Sequence, residues 1–297
     1  SMKLLITGIV ALITLAVGFW GCNDLSRTTY SGSDYVMFSD TLSMYPVQDS
    51  EKWFEIPVVA TNICDYDRSF GVEVDDKASN AIEKKQYVVE SNTVTIKAGE
   101  RVAKFRMKGV YENIGKTDSL SVTFNLLAKD ENIWDLYGTR TRVQMQKACP
   151  FELSTFEGYC LLTSSFFSAY MTNTEHRLLQ AERDKAEDNT IILHDFFYKN
   201  YDLKIKYDPS DPLKPFVEFD EQIIGSTAEA FGTIYGNGKL MCDQPVAYDS
   251  YYNVCQKFVI LYTTIYVVGK GTVGTYVNIL EWISDEEAEQ YKKEEGL

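Results

Sequence analysis

From residue 34 onward, apolar and polar positions alternate with a period of two. Phe70, Val72 and Val74 alternate with Gly71 and Glu73, Val94 and Ile96 flank Thr95, and Ala103, Phe105 and Met107 flank Lys104 and Arg106. Leu120, Val122, Phe124 and Leu126 repeat the pattern, and Val143 with Met145 closes it. Successive side chains of an extended chain point to opposite faces, so each run predicts a half-buried strand. Turn sequences such as Lys97-Ala98-Gly99-Glu100 and Asn113-Ile114-Gly115-Lys116 separate the runs. Many short strands at this spacing predict a β-sandwich over residues 34–147. Lys147-Ala148-Cys149-Pro150-Phe151 breaks the pattern and marks a domain boundary.

Beyond it, strands are predicted at Thr190 to Leu193, Tyr201 to Tyr207 and Phe216 to Phe219, the last two joined by the turn Asp208-Pro209-Ser210-Asp211-Pro212. Phe231 to Tyr235 reads as a further strand running into Gly236-Asn237-Gly238. Phe258 to Val268 and Thr275 to Ile283 form a hairpin about Gly269-Lys270-Gly271. Antiparallel strands joined in this way predict an up-and-down barrel or a curved sheet over residues 150–283. The composition of Glu175 to Ala186 suits a helix, and Ser284 with Glu287 fits a capping box opening a short helix in the charged tail, residues 284–297. The fold class is therefore all-β.

The N-terminus has a different character. Lys3 precedes an uncharged run from Leu4 to Trp20, followed by Gly21 and Cys22. A cation, an apolar run and a small residue make a secretory signal. Cysteine at this place resembles the lipobox of bacterial lipoproteins, with Phe19 and Trp20 departing from its small aliphatic positions. That resemblance implies a signal peptide over residues 1–21, lipid attachment at Cys22, a polar tether over 22–33, and a lipid-anchored, periplasmic or surface-exposed place on the bacterial outer membrane. An uncleaved membrane anchor is the alternative.

Further along, Val72-Glu73-Val74, Ala78-Ser79-Asn80-Ala81, Gln86-Tyr87 and Val94-Thr95-Ile96-Lys97-Ala98-Gly99-Glu100 resemble a Calx-beta domain in their order. This implies an immunoglobulin-like sandwich of a kind that recurs in Bacteroidetes envelope lipoproteins of unknown function. Calcium-binding members cluster acids at one end, whereas Glu112 to Asp118 carries Lys116, and Asp65, Asp67, Asp75 and Asp76 read as solvated turn acids. Phe156-Glu157-Gly158-Tyr159 with the closing hairpin resembles the lipocalin-like C-terminal domains of the same group. That implies an antiparallel barrel whose mouth either holds a ligand or is filled by its own side chains.

Composition narrows the function classes. A net charge of −14 opposes nucleic acid and anionic head groups. The 20 Tyr and 16 Phe, scattered along the chain, first of all suit pleated sheet; the sharper alternative is a stacking surface for sugars, for which Tyr276 and Trp282 share a strand face. Besides Cys22 there are five cysteines, an odd number without a C-x-x-C pair, which opposes zinc and thioredoxin-type redox sites. Cys242 with Cys255, or Cys149 with Cys160, could close a local loop. His176 and His194 lie in no metal or nucleophile motif, so no catalytic residue, metal or cofactor is expected. The chain reads as a non-enzymatic binding or accessory module with a glycan, peptide or envelope-protein partner. A hydrolase using paired carboxylates and a structural spacer are the alternatives.

Overall fold

The computed structural model describes residues 32–134 and 138–297. The proposed signal, Cys22 and most of the tether lie outside the described residues.

The first half is a sandwich of two sheets. One contains β1 (Val36–Phe38), β3 (Phe54–Ala60), β7 (Val102–Gly109) and β5 (Tyr87–Val89), in that spatial order. The other runs β2 (Leu42–Val47), β9 (Arg140–Lys147), β8 (Leu120–Leu127), β4 (Arg68–Val74) and β6 (Thr93–Ile96). The predicted alternation is realised: Val122, Phe124, Val143 and Met145 face Ile56, Phe105 and Met107 in a core sealed from solvent. One pairing is of a kind the pattern does not reveal, since β2 joins β9 in parallel, Leu42 beside Arg142 and Val47 beside Lys147. At Gly109 a Cβ would come within 2.6 Å of Val47, so only glycine lets the two sheets approach there.

The second half closes on itself. In chain order its strands are β10 (Gly158–Ser164), β11 (Arg177–Arg183), β12 (Thr190–Leu193), β13 (Leu203–Tyr207), β14 (Phe216–Glu218), β15 (Gln222–Ser226), β16 (Lys239–Asp243), β17 (Ser250–Asn253), β18 (Phe258–Val267) and β19 (Gly271–Trp282). Eight of them form an antiparallel ring, β10-β11-β12-β13-β14-β17-β18-β19, which β19 completes by pairing with both β18 and β10. β15 and β16 form a hairpin on the remaining edge of β18, beyond the stretch that β17 occupies. The fold is an immunoglobulin-like sandwich followed by a lipocalin-like barrel.

Two local expectations give way to tertiary structure. Glu175 to Ala186 is not helical, because Arg177–Arg183 is β11, pairing with β10 and β12. Leu179 and Ala181 alternate inward with Gln180 and Glu182, and this pairing overrides a weak helical preference. Phe231 to Tyr235 is not a strand. Thr227–Phe231 is a helical turn (α2) capped by Ser226 and ended by Gly232 at φ 77°. A similar turn, α1 (Ser165–Tyr170), plugs one end of the barrel with Phe166 and Phe167. The terminal helix α3 (Asp285–Glu295) opens on the expected reciprocal Ser284–Glu287 capping box. It docks through Lys292, whose Nζ donates to the Tyr159 hydroxyl at 3.0 Å.

Candidate functional site

β9 carries a continuous polar outer face. Because alternate residues share a face, Arg140, Arg142, Gln144 and Gln146 all point outward while Thr141, Val143 and Met145 point in. β8 sets Ser121 beside Gln144 and Thr123 beside Arg142. Residues 75–81 lie against this part of β8: Asn80 Oδ1 accepts from the Ser121 amide at 2.6 Å and Ser79 Oγ from that of Thr123 at 2.9 Å. The result is a groove of about 760 Å³ whose walls hold Lys77, Arg140, Arg142 and several hydroxyls. Arg140 is held by Asp75 at 2.7 Å, and Arg142 donates to Gln144 Oε1 at 3.3 Å.

The other end of the same strand enters a cleft of about 310 Å³ between sandwich and barrel. Its sandwich wall is Met44, Pro46, Gln144 and Gln146, and its barrel wall is the β13–β14 connection with Pro209, Pro212, Leu213 and Pro215. Prolines fix φ and carry no N–H, so this wall is stiff and apolar. Tyr252 lies behind it, donating its hydroxyl to the Asp208 carbonyl at 3.0 Å, and burial pushes its pKa up to about 12. The cleft is braced by covalent and polar links. Cys149 forms a disulfide with Cys255, Lys147 Nζ donates to the Tyr111 and Ile114 carbonyls, and Ala148 donates to Val47. Small-molecule sites start near this volume and combine apolar walls with a few placed polar groups.

The residues singled out from sequence fall elsewhere. Cys242 does not pair with Cys255. Cys242 lies beside Ile265 on β16, whereas Cys255 precedes the start of β18 at Phe258, so roughly 24 Å of strand separates them. A disulfide needs Cα atoms within about 7 Å. Nor does Cys149 pair with Cys160, which faces the barrel core; Cys64, Cys160 and Cys242 are free thiols. Trp282 is not on an exposed rim. It is 7% exposed and meets Phe156 edge-on at 5.1 Å. Tyr276 lies six residues earlier, in the middle of β19, half-buried, its ring edge-on to Phe166 at 5.2 Å. Its ring folds back over Gly274, where a Cβ would come within 2.7 Å of the Tyr276 hydroxyl. Among the described residues, such side chains pack through the barrel interior, from Phe156 and Tyr207 to Phe166 and Phe197.

His194 sits on the barrel exterior between Glu182 (3.0 Å) and Asp202 (3.2 Å), while His176 bonds Thr163. The Glu182 hydrogen bond raises the His194 pKa, partial burial opposes it, and Asp202 adds to it. The cation is thus favoured in the folded state. Its contribution is complete below the ordinary imidazole pKa and fades as pH rises through the elevated one. Urea denaturation of His194→Gln should show a larger loss of stability at about pH 5 than at about pH 9; equal losses would contradict this. Two of the acids considered for calcium are otherwise engaged, Asp75 by Arg140 and Asp67 by Lys97 and the Ala98 amide. Among the described residues, no group of three or more His, Cys, Asp or Glu is placed to hold a metal ion. The carboxyls whose pKa moves, Glu51, Glu55, Asp67, Asp184 and Asp208, are all held low by hydrogen-bond donors.

The β9 face was visible as Arg140-x-Arg142-x-Gln144-x-Gln146, although the apolar half of that alternation attracts attention first. Its continuation into a cleft depends on the barrel loop and has no local signal.

Residues 136–294 match the family described as a domain of unknown function, DUF4984. No curated protein matches the chain. Among solved structures, it resembles a protein of unknown function from Bacteroides ovatus at 9% identity and TM-score 0.34, over 87% of this chain and 93% of that one. A putative carbohydrate binding protein from Bacteroides ovatus matches at 12% identity and TM-score 0.31, over 82% and 74%. The apo CBD1 domain of Calx matches at 15% identity and TM-score 0.32, over 40% and 100%.

Proposed function

The chain belongs to the DUF4984 family, and from that premise we propose that it is a non-enzymatic glycan-binding protein of the bacterial cell envelope, lipid-anchored at Cys22. The observation that carries the binding role is the outward run Arg140, Arg142, Gln144, Gln146 leading into the proline-walled cleft. Amides and guanidinium groups on a sheet face suit a ligand rich in hydroxyls. A peptide would instead be expected to add to a sheet edge. The apolar run Leu4 to Trp20 ending at Cys22 supports the anchor. The Cys149–Cys255 disulfide supports an oxidising compartment outside the cytoplasm.

A glycan array probed with residues 23–297, followed by calorimetry on the hits, tests the binding role. Gln146→Ala should weaken binding about five- to thirty-fold, the range of a central interface contact, without lowering the melting temperature. An array that stays silent rules out the glycan. Metabolic labelling with a fatty acid should mark the wild-type chain and not Cys22→Ala; label on the variant would end the anchor assignment.

A further inference from the structure

Resting on that reading, we propose that the ligand is an acidic glycan, its carboxylate seated in the groove of Lys77, Arg140 and Arg142 while its neutral part continues along β9 to the cleft.

The groove runs against the charge of the chain. The protein carries 43 acidic against 29 basic residues. Yet the described residues lining the groove include three cations and no Asp or Glu. Asp75 reaches Arg140 from the side and holds it at 2.7 Å, leaving Lys77 and Arg142 as the uncompensated charges. Both are exposed. Arg142 uses one donor on Gln144 at 3.3 Å, and a guanidinium offers five in a planar fork that matches a carboxylate. Around these cations stand hydroxyls and an amide, Thr41, Ser79 and Asn80 among them, which suit the ring oxygens and hydroxyls of a sugar.

Spacing joins the two ends. Arg140 and Gln146 are six residues apart on one extended strand, roughly 20 Å. A ligand about 20 Å long with its acid in the groove therefore reaches the proline-walled cleft. An acidic chain repels such a ligand at long range, so selection for it must come from this local cluster and must weaken with salt.

The test is calorimetry of the full chain in detergent with an oligogalacturonate and with its fully methyl-esterified form, which removes the charge at the cost of one added methyl per residue. Wild-type protein should bind the acid about ten-fold more tightly than the ester at low salt. That is the product of two exposed ion pairs worth a few-fold each. Raising the salt to about 0.5 M should shrink the difference, because the screening length falls to a few ångströms. Lys77→Gln with Arg142→Gln should bind both forms with the affinity of the wild type for the ester, at an unchanged melting temperature. Equal affinity of the wild type for acid and ester, or a preference that survives in the double variant, overturns the inference and leaves the glycan reading intact. Binding of neither form overturns the inference for this acid, and a silent glycan array alongside it overturns the glycan reading as well.

Discussion

Replacing Cys149 and Cys255 together with serine should lower the stability of the barrel by about 2–5 kcal/mol. The bond joins residues 106 apart in sequence, so β10 to β17 lie inside the loop it closes, while β18 and β19 follow it. The chain-entropy account gives about 4.7 kcal/mol for a loop of ~100 residues, an upper figure because a reduced chain retains some structure. Urea denaturation of the wild type with and without a thiol reductant measures the difference directly. The double variant should match the reduced wild type and should not respond to reductant. Thiol titration of residues 32–297 in denaturant should find three free groups, Cys64, Cys160 and Cys242. Five free groups would mean that the bond is not formed.

The second large effect is expected at Phe156. It is completely buried at the barrel end next to the disulfide, in the turn that leads into β10. Its ring lies 4.6 Å from Tyr207, 5.1 Å from Trp282 and 5.8 Å from Tyr252. Truncation leaves a void that these neighbours cannot close, because they belong to three different strands, β13, β17 and β19, of a closed ring. Phe156→Ala should cost about 3–5 kcal/mol, whereas Phe156→Leu, which keeps most of the volume, should cost clearly less. Denaturation followed by near-ultraviolet circular dichroism tests this. A loss under about 1 kcal/mol for alanine would mean that the aromatic cluster repacks freely.

Both predictions concern features that local pattern does not reveal. Phe156 was recognisable as the start of a second β-rich segment, but nothing nearby in sequence says that Tyr207, Tyr252 and Trp282 converge on it. The same holds for the ligand face. The alternation in β9 could be read directly, and Lys77 lies more than sixty positions away on a segment whose hydrogen bonds to β8 bring it into the groove. The proline-rich β13–β14 connection was legible as a turn, and its use as the wall of a cleft follows only from where the barrel meets the sandwich.

The division follows the range of the forces involved. Period-two burial, glycine and proline turns, and the Ser284–Glu287 cap act within a few residues, so an all-β chain follows from local pattern alone. So do the β18–β19 hairpin, the limits of β12 and the capped terminal helix. Tertiary structure decided what depends on distant partners: the parallel β2–β9 pairing, the closure of the ring where Cys160 meets Trp282, and β11 in place of a helix. It also decided which cysteines meet and that Trp282 is core rather than rim. Backbone edges are chemically alike along any strand, and only the packing of the whole core selects which two of them pair.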